Sequence, residues 1–400
     1  MKPNIDLRRR GLLVASAGGA VAGLGGWTPA SLAQAPKAKP LPPFAAWKDA
    51  ESVIVHSANT IETRRAAFGT SGVTWNDILF VRNNLSAPDA AIAANPDAWQ
   101  VEIQGVTNPR TLSVAELKQI GLGTVAMVLQ CSGNGRGFFA HKASGTQWTV
   151  GAAGCTLWSG VPVKALVDAL GGVREGMRYM TSSGGETIPP GIDPKTVQVE
   201  RSVPWTMMER ALLAWELNGE PLPVAHGGPL RVVIPGYYGV NNVKYVKRLA
   251  FTADQTQATI QRSGYRVRPI GVKGAADQPS MWEMNVKSFI TYPAGGTQPL
   301  RAGTAQIHGV AFSGTGAISR VEVSLDGGQT WSQAQFFGPD LGAYAWRQFV
   351  LPTRLQPGAY VLASRATGAD GQSQPEARVE NERAYAHNGW RDHAVKVTVA

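Results

Sequence analysis

Cysteine is scarce. The 400 residues contain two, Cys131 and Cys155. Two thiols cannot complete a four-ligand zinc site, and neither CxxC nor HExxH occurs, so the common zinc arrangements are excluded. CxxCH is absent too, which leaves no attachment point for covalent haem. A Walker loop and a GxGxxG following a strand are both missing, which argues against a nucleotide cofactor. Charged residues make up only 16%, and no run of Lys and Arg interleaved with aromatics occurs, so no nucleic-acid partner is expected. Past the N-terminus no apolar stretch reaches spanning length, so no stable membrane insertion is expected either.

What is present is ordinary for a globular chain: 44% apolar residues, enough for sizeable cores in two or three domains. The formal charge is +10, part of it in Lys2 and Arg8–Arg10 of the leader and in Lys37 and Lys39 beyond it. The remaining basic charge suits small anions or an acidic protein partner. An arginine run, a short Gly/Ala-rich apolar core and the small-residue exit Leu32-Ala33-Gln34-Ala35 make residues 1–35 a twin-arginine export signal, which places the mature chain in the periplasm. Residues 36–50, rich in Pro, Lys and Ala, read as an extended tail.

One stretch concentrates chemistry. The apolar run Val125–Leu129 reads as a buried strand that delivers Cys131 into Ser132-Gly133-Asn134-Gly135-Arg136-Gly137-Phe138-Phe139. Its glycines allow positive φ and close approach of a ligand to the backbone. Arg136, five residues after the sulfur, favours the thiolate and offers a fork for an oxyanion. Cys131 is equally readable as a buried apolar residue or, in an oxidising compartment, as half of a disulfide with Cys155.

Around that stretch strands and helices mix without a regular βαβ beat, which makes the fold class α+β. Ser113 and Glu116 have capping-box spacing ahead of a helix, and Val163–Leu170 is a helix closed by Gly171-Gly172. Tyr179–Ser183, Val232–Ile234 and Val243–Val246 read as strands, and Pro204–Trp215 carries a helical period. From about Ser288 short alternating segments recur between turns such as Asp326-Gly327-Gly328, the pattern of an immunoglobulin-like β-sandwich. Arg82, Arg136, Arg231, Lys244 and Lys247 sit beside glycines or at strand ends, where anions are commonly cradled.

Phe80-Val81-Arg82-Asn83-Asn84, Leu129–Phe139, Asn218-Gly219 with His226–Arg231, Pro235–Lys247 and Ser324–Trp331 together resemble, in order, the sulfite oxidase family of molybdopterin enzymes. Within it the chain looks most like the molybdenum subunit of bacterial periplasmic sulfite dehydrogenases. The resemblance implies a molybdopterin-binding catalytic domain over 51–285 and a β-sandwich dimerisation domain over 286–400. It implies a Mo-molybdopterin cofactor with Cys131 as thiolate ligand, a soft donor suited to that metal. Arg82, Arg136, Tyr265, Trp148 and Arg391 would line the substrate pocket. Phe80, Val81, Arg82, Asn83, Asn84, Glu186, His226, Arg231, Asn242, Val243 and Lys244 would contact the pterin and its phosphate.

The implied reaction is oxidation of sulfite, or a related sulfur oxyanion, with electrons passed to a separate c-type cytochrome. A homodimer, or a heterodimer with a haem subunit, is the implied assembly. One departure stands out: the family usually has Arg-x-His where this chain has Arg82-Asn83-Asn84. Asn84 hydrogen-bonds but cannot carry a proton charge. That keeps open a second reading, a sulfur dehydrogenase acting on carrier-bound sulfane sulfur in the thiosulfate-oxidising system. A binding protein without catalysis is the third.

Overall fold

The computed structural model describes residues 39–86, 88–296 and 298–400, which form one compact unit. The export leader expected over 1–35 lies outside the described residues. Among the described residues five sheets carry the fold. Two of five strands support the cavity described below. One runs in the order Glu220–Pro221, Leu212–Leu217, Ala153–Pro162, Gly123–Gln130, with Arg231–Val233 also paired to Leu212–Leu217; the other runs Arg110–Ser113, Gln100–Gln104, Val246–Thr252, Tyr179–Gly184, Glu200–Pro204. A three-stranded sheet, Val53–Ser57, Thr60–Thr63 and Val81–Arg82, brings Arg82 to its edge.

Local chemistry accounts for the elements. Ser113 accepts from the Glu116 amide while Glu116 reaches back to the Ser113 amide, closing the capping box of helix Val114–Ile120. Strand Gln100–Gln104 alternates because one face is wet, with Val101 and Ile103 fully buried. Strand Gly123–Gln130 ends in four consecutive buried residues, since both its faces are covered where it delivers the cysteine loop. The C-terminal sandwich pairs two four-stranded sheets, led by Lys287–Tyr292 and Ile318–Ser324, over a core that includes Ile307, Val321, Phe349 and Leu362.

Three expectations are corrected. Pro204–Trp215 is not a helix: a short 3-10 turn, Trp205–Glu209, precedes strand Leu212–Leu217, which pairs with Ala153–Pro162. The run Leu212-Leu213-Ala214 is apolar on both sides, and burial between neighbouring strands overrides its helical spacing. Val243–Val246 is not a strand either. The strand begins at Val246, because Tyr245 takes a positive φ of 52° and Lys244 is drawn inward. Residues 39–50 are not an extended tail: Pro43–Ala45 form a 3-10 turn, Ala45 is fully buried, and Lys48 is 5% exposed. Among the described residues no helix is long and apolar enough to cross a membrane.

The C-terminal segment docks on the cysteine loop. Ala386 donates its amide to Ser132 O at 3.0 Å, and the His387 ring lies flat against Gly135, whose φ is +96°. A Cβ at Gly135 would sit 2.5 Å from His387 Cγ. Gly135→Ala therefore combines left-handed strain with a clash and is expected to cost about 1–3 kcal/mol. Thermal unfolding checks this; an unchanged Tm would mean that the loop does not depend on that contact.

Candidate active site

A cavity of about 750 Å³, counting its open mouth, lies where the cysteine loop, the Arg82 strand end and the loop before Val246 meet. Strand Gly123–Gln130 supplies Cys131 to its wall, half-buried and with a free thiol. Cys155 is also free and lies opposite Val128 inside the sheet, where burial pushes its thiol up to about 12. The disulfide alternative is thereby removed.

Arg82 projects from the strand edge and donates from Nη1 to Asn84 Oδ1 at 3.1 Å. Its guanidinium is held above its ordinary value, chiefly by the Tyr265 phenol and further by Cys131 and Tyr385, against the pull of burial. Arg82 thus shares the cavity wall with the Cys131 thiol and the Tyr265 phenol. Asn84 also donates to Val197 O at 2.8 Å, so its amide is fixed from both ends.

At the other end basic groups crowd, and among the described residues no carboxylate forms an ion pair with them. Arg231 donates to His226 O at 2.7 Å and Asn242 O at 3.1 Å, and lies 5.1 Å from the Trp158 ring centre. Lys244 donates to Ala225 O at 2.7 Å and Asn83 Oδ1 at 2.6 Å. Burial, then Arg231 and Arg82, push the Lys244 ammonium well below the usual lysine range, with Glu186 pulling it back. Burial, then Lys48, Lys244 and Arg231, push His226 well below the usual histidine range, against the Asn76 carbonyl. Burial brings Arg231 down to about 10. Cations held this close are stabilised by an anion entering among them.

The donor set fits a molybdopterin. Cys131 offers a soft sulfur, the basic cluster suits a phosphate, and three cavity-lining residues carry a buried polar atom that finds no partner among the described residues: Asn83 Nδ2, Ser132 Oγ and Glu186 Oε2. Buried polar groups left open in this way mark where ligand atoms belong.

Of the residues expected here, Phe80, Arg82, Asn83, Asn84, Cys131, Glu186, His226, Arg231, Asn242, Val243, Lys244 and Tyr265 come together in the cavity wall. Val81 does not; it is buried with Ile61 and Val53 on the far side of its strand. Trp148 stands one layer back, its ring 6.4 Å from Phe80 and 5.1 Å from His56. Arg136 is corrected: its guanidinium turns into its own loop, donating to Arg383 O and Thr146 O at 3.1 Å. Gly133 and Gly145 make room for it, since a Cβ there would lie 2.4 and 2.7 Å from Nη2 and Nη1. Those two glycines thus serve packing within the loop rather than ligand approach. Arg391 is also corrected: it is exposed on the turn Trp390–His393, pairs with Glu376, and takes no part in the cavity.

Reasoning from sequence missed Tyr385 and Arg383. Tyr385 stacks on Tyr265 with ring centres 5.0 Å apart and planes 8° apart. Burial, then Tyr265, push its phenol up to about 12 while Arg383 and Arg136 pull against them. Ala384 and Ala386 on either side both take positive φ, 49° and 58°, which turns Tyr385 onto its partner. Two alanines give no sign of that conformation in the sequence. Lys48, against His226, was likewise hidden in the supposed tail.

Comparison with known proteins agrees with this geometry. The family model "Oxidoreductase molybdopterin binding domain" matches residues 87–260, and "Mo-co oxidoreductase dimerisation domain" matches 278–400. Mitochondrial sulfite oxidase of Rattus norvegicus is 30% identical over 354 residues, covering 82% of this chain and 62% of that one. Inducible nitrate reductase [NADH] 2 of Glycine max is 30% identical over 340 residues, 78% of this chain and 38% of that one. This chain therefore spans less than two thirds of the length of these curated relatives. The sulfane dehydrogenase SoxCD from Paracoccus pantotrophus superposes with a TM-score of 0.71 at 26% identity, covering 85% of this chain and 86% of that one.

Burial pushes the Glu186 carboxyl from 4.5 up to about 7, with Lys244 pulling it down. Its folded value lies above its unfolded one, so folding holds a proton; this stability is full below pH 4.5 and is lost as pH rises through about 7. Glu186→Gln is expected to flatten the decline across that window in the cofactor-free protein, by at most about 3 kcal/mol. Urea denaturation at stepped pH measures it; a decline of unchanged size would clear Glu186 as its source.

Proposed function

The chain belongs to the sulfite oxidase family of molybdopterin enzymes, and from that we propose that it oxidises sulfite to sulfate and passes the electrons to a separate c-type cytochrome. The cofactor of this family, and of this chain, is molybdenum bound to molybdopterin. What carries the reading is the pairing of Cys131 with Arg82 and Tyr265 in one cavity wall, a soft metal ligand beside a fixed cation. When bound, the cofactor supplies the two-electron oxidation and the oxygen transfer that turn sulfite and water into sulfate, two protons and two electrons.

The chain's own residues hold and place the reactants. Cys131 would hold the metal, while Arg231, Lys244 and the His226 ring would hold the pterin's phosphate. Arg82 attracts the dianion and orients it by charge-assisted hydrogen bonds, its own position set by Asn84 Oδ1. Tyr265, braced by the Tyr385 stack, offers a hydroxyl beside that cation. Asn84 cannot shuttle a proton, so released protons leave by another route.

Oxidation of carrier-bound sulfane sulfur is the second reading. It is supported by the likeness to the sulfane dehydrogenase SoxCD and by Asn84, which alters the substrate end of the cavity. Steady-state turnover of free sulfite separates the two, because a carrier-bound substrate would leave free sulfite unoxidised by molybdenum-replete enzyme. Export as a folded, cofactor-loaded protein through the leader at 1–35 and residence in the periplasm belong to the same proposal, as does assembly with a second copy or a haem subunit.

Cys131→Ser is expected to abolish cytochrome-coupled turnover with the circular dichroism spectrum unchanged; retained activity would contradict the ligand assignment. Arg82→Met is expected to raise KM for sulfite by about one to two orders of magnitude, the scale of one lost charge-assisted contact, with pterin content preserved. An unchanged KM would take Arg82 out of substrate binding.

A further inference from the structure

Lys48 lies outside the segments matched by the family models, yet it reaches the back of the cofactor cavity. Its Nζ makes three contacts: Leu79 O at 2.7 Å, Asn76 O at 2.8 Å and His226 Nε2 at 3.2 Å. An ammonium has three donors and no acceptor. Two are taken by main-chain carbonyls, and the third turns to the imidazole nitrogen, which presents a lone pair to an ammonium, while the Asn76 carbonyl also lies within reach of the ring. His226 is a cavity-lining residue and Lys48 is not, and Nε2 is the ring nitrogen that meets Lys48. The neutral ring carries one proton, and with Nε2 accepting, that proton resides on Nδ1.

We propose that Lys48 is a positioning residue of the cofactor site, whose ammonium fixes the His226 tautomer so that Nδ1–H is the donor the ring offers to the phosphate of the pterin. The opposite arrangement, a neutral amine accepting from Nε2–H, would leave Nδ1 as a lone pair aimed at an anion, which is repulsive. Burial pushes the Lys48 ammonium down to about 7 while the Asp77 carboxylate pulls it up, and an anion bound beyond His226 pulls the same way. Lys48 thus acts at one remove: it touches neither substrate nor the cavity, and it sets the ring that does. Trp47 packs edge-on against the same histidine, with ring centres 5.9 Å apart, and the His226 side chain is buried. The proposal rests on the cofactor assignment and is independent of which sulfur compound is oxidised.

The test uses cofactor-loaded protein labelled with ¹⁵N in its histidine rings, with the His226 signals assigned by their loss in His226→Gln. Long-range proton–nitrogen correlation is expected to show Nδ1 protonated and Nε2 bare. A proton on Nε2 in the wild type overturns the proposal, and this holds even if no Lys48 variant folds. In Lys48→Met the proton is expected to shift to Nε2 or divide between the nitrogens, and molybdenum and pterin content to fall on the order of tenfold, the scale seen when an outer partner orienting a ligand is removed. A variant that loses thermal stability but keeps both the His226 pattern and full metal content would make Lys48 a structural residue and overturn the proposal. Wild-type protein without molybdenum would instead overturn the cofactor assignment.

Discussion

Positive charge is buried around one cavity in excess of the nearby carboxylates, none of which among the described residues forms an ion pair with Arg231, Lys244 or Lys48, and the site depends on that imbalance. Arg231, Lys244 and Lys48 spend their donors on main-chain carbonyls, an asparagine and a histidine. A buried unpaired charge is costly, so such an arrangement persists where a ligand supplies the counter-charge. The phosphate of a molybdopterin meets that need at one end, and Cys131 beside Arg82 meets the metal and the substrate anion at the other. The fold's task is to keep the two ends at a fixed spacing. It does so with the end of strand Gly123–Gln130, the edge of the Thr60–Thr63 sheet, and the loop before Val246.

The cysteine loop is held from outside as well as within. Arg136 is folded under glycines 133 and 145 and tied to Thr146 and Arg383 carbonyls, so it stiffens the loop rather than reaching for substrate. Its guanidinium also lies 5.4 Å from the Tyr385 ring centre. Tyr385 in turn backs Tyr265, so the C-terminal segment braces the tyrosine that faces Arg82. Alteration of the 381–388 stretch would therefore reach the cavity through packing, without any of those residues lining it.

Much of this was legible from the sequence where local physics and tertiary demand coincide. The apolar run ending at Cys131, the Ser113–Glu116 cap and the alternating strands of the sandwich each contain their own instruction. The site residues from Phe80 to Lys244 were legible through family resemblance, and all but Val81, Arg136 and Trp148 line the cavity. Legibility failed where an element's fate was set by a distant neighbour. Leu212–Leu217 has helical spacing but pairs between two strands. Lys48 sits in tail-like composition but is anchored by Leu79 and His226. Arg391 resembled a pocket cation in sequence, yet its side chain points to solvent from a turn whose Trp390 and His393 are buried, and the cation nearest the tyrosine pair from that segment is Arg383. No periodicity marks the left-handed alanines that aim Tyr385.

The account turns on a sulfur from position 131 holding molybdenum under that field of positive charge. X-ray absorption at the molybdenum edge, on wild-type protein and on Cys131→Ser, tests it most directly. One sulfur ligand fewer in the variant is the result the account requires. Equal sulfur coordination in the two proteins, or no molybdenum in the wild type, would contradict it.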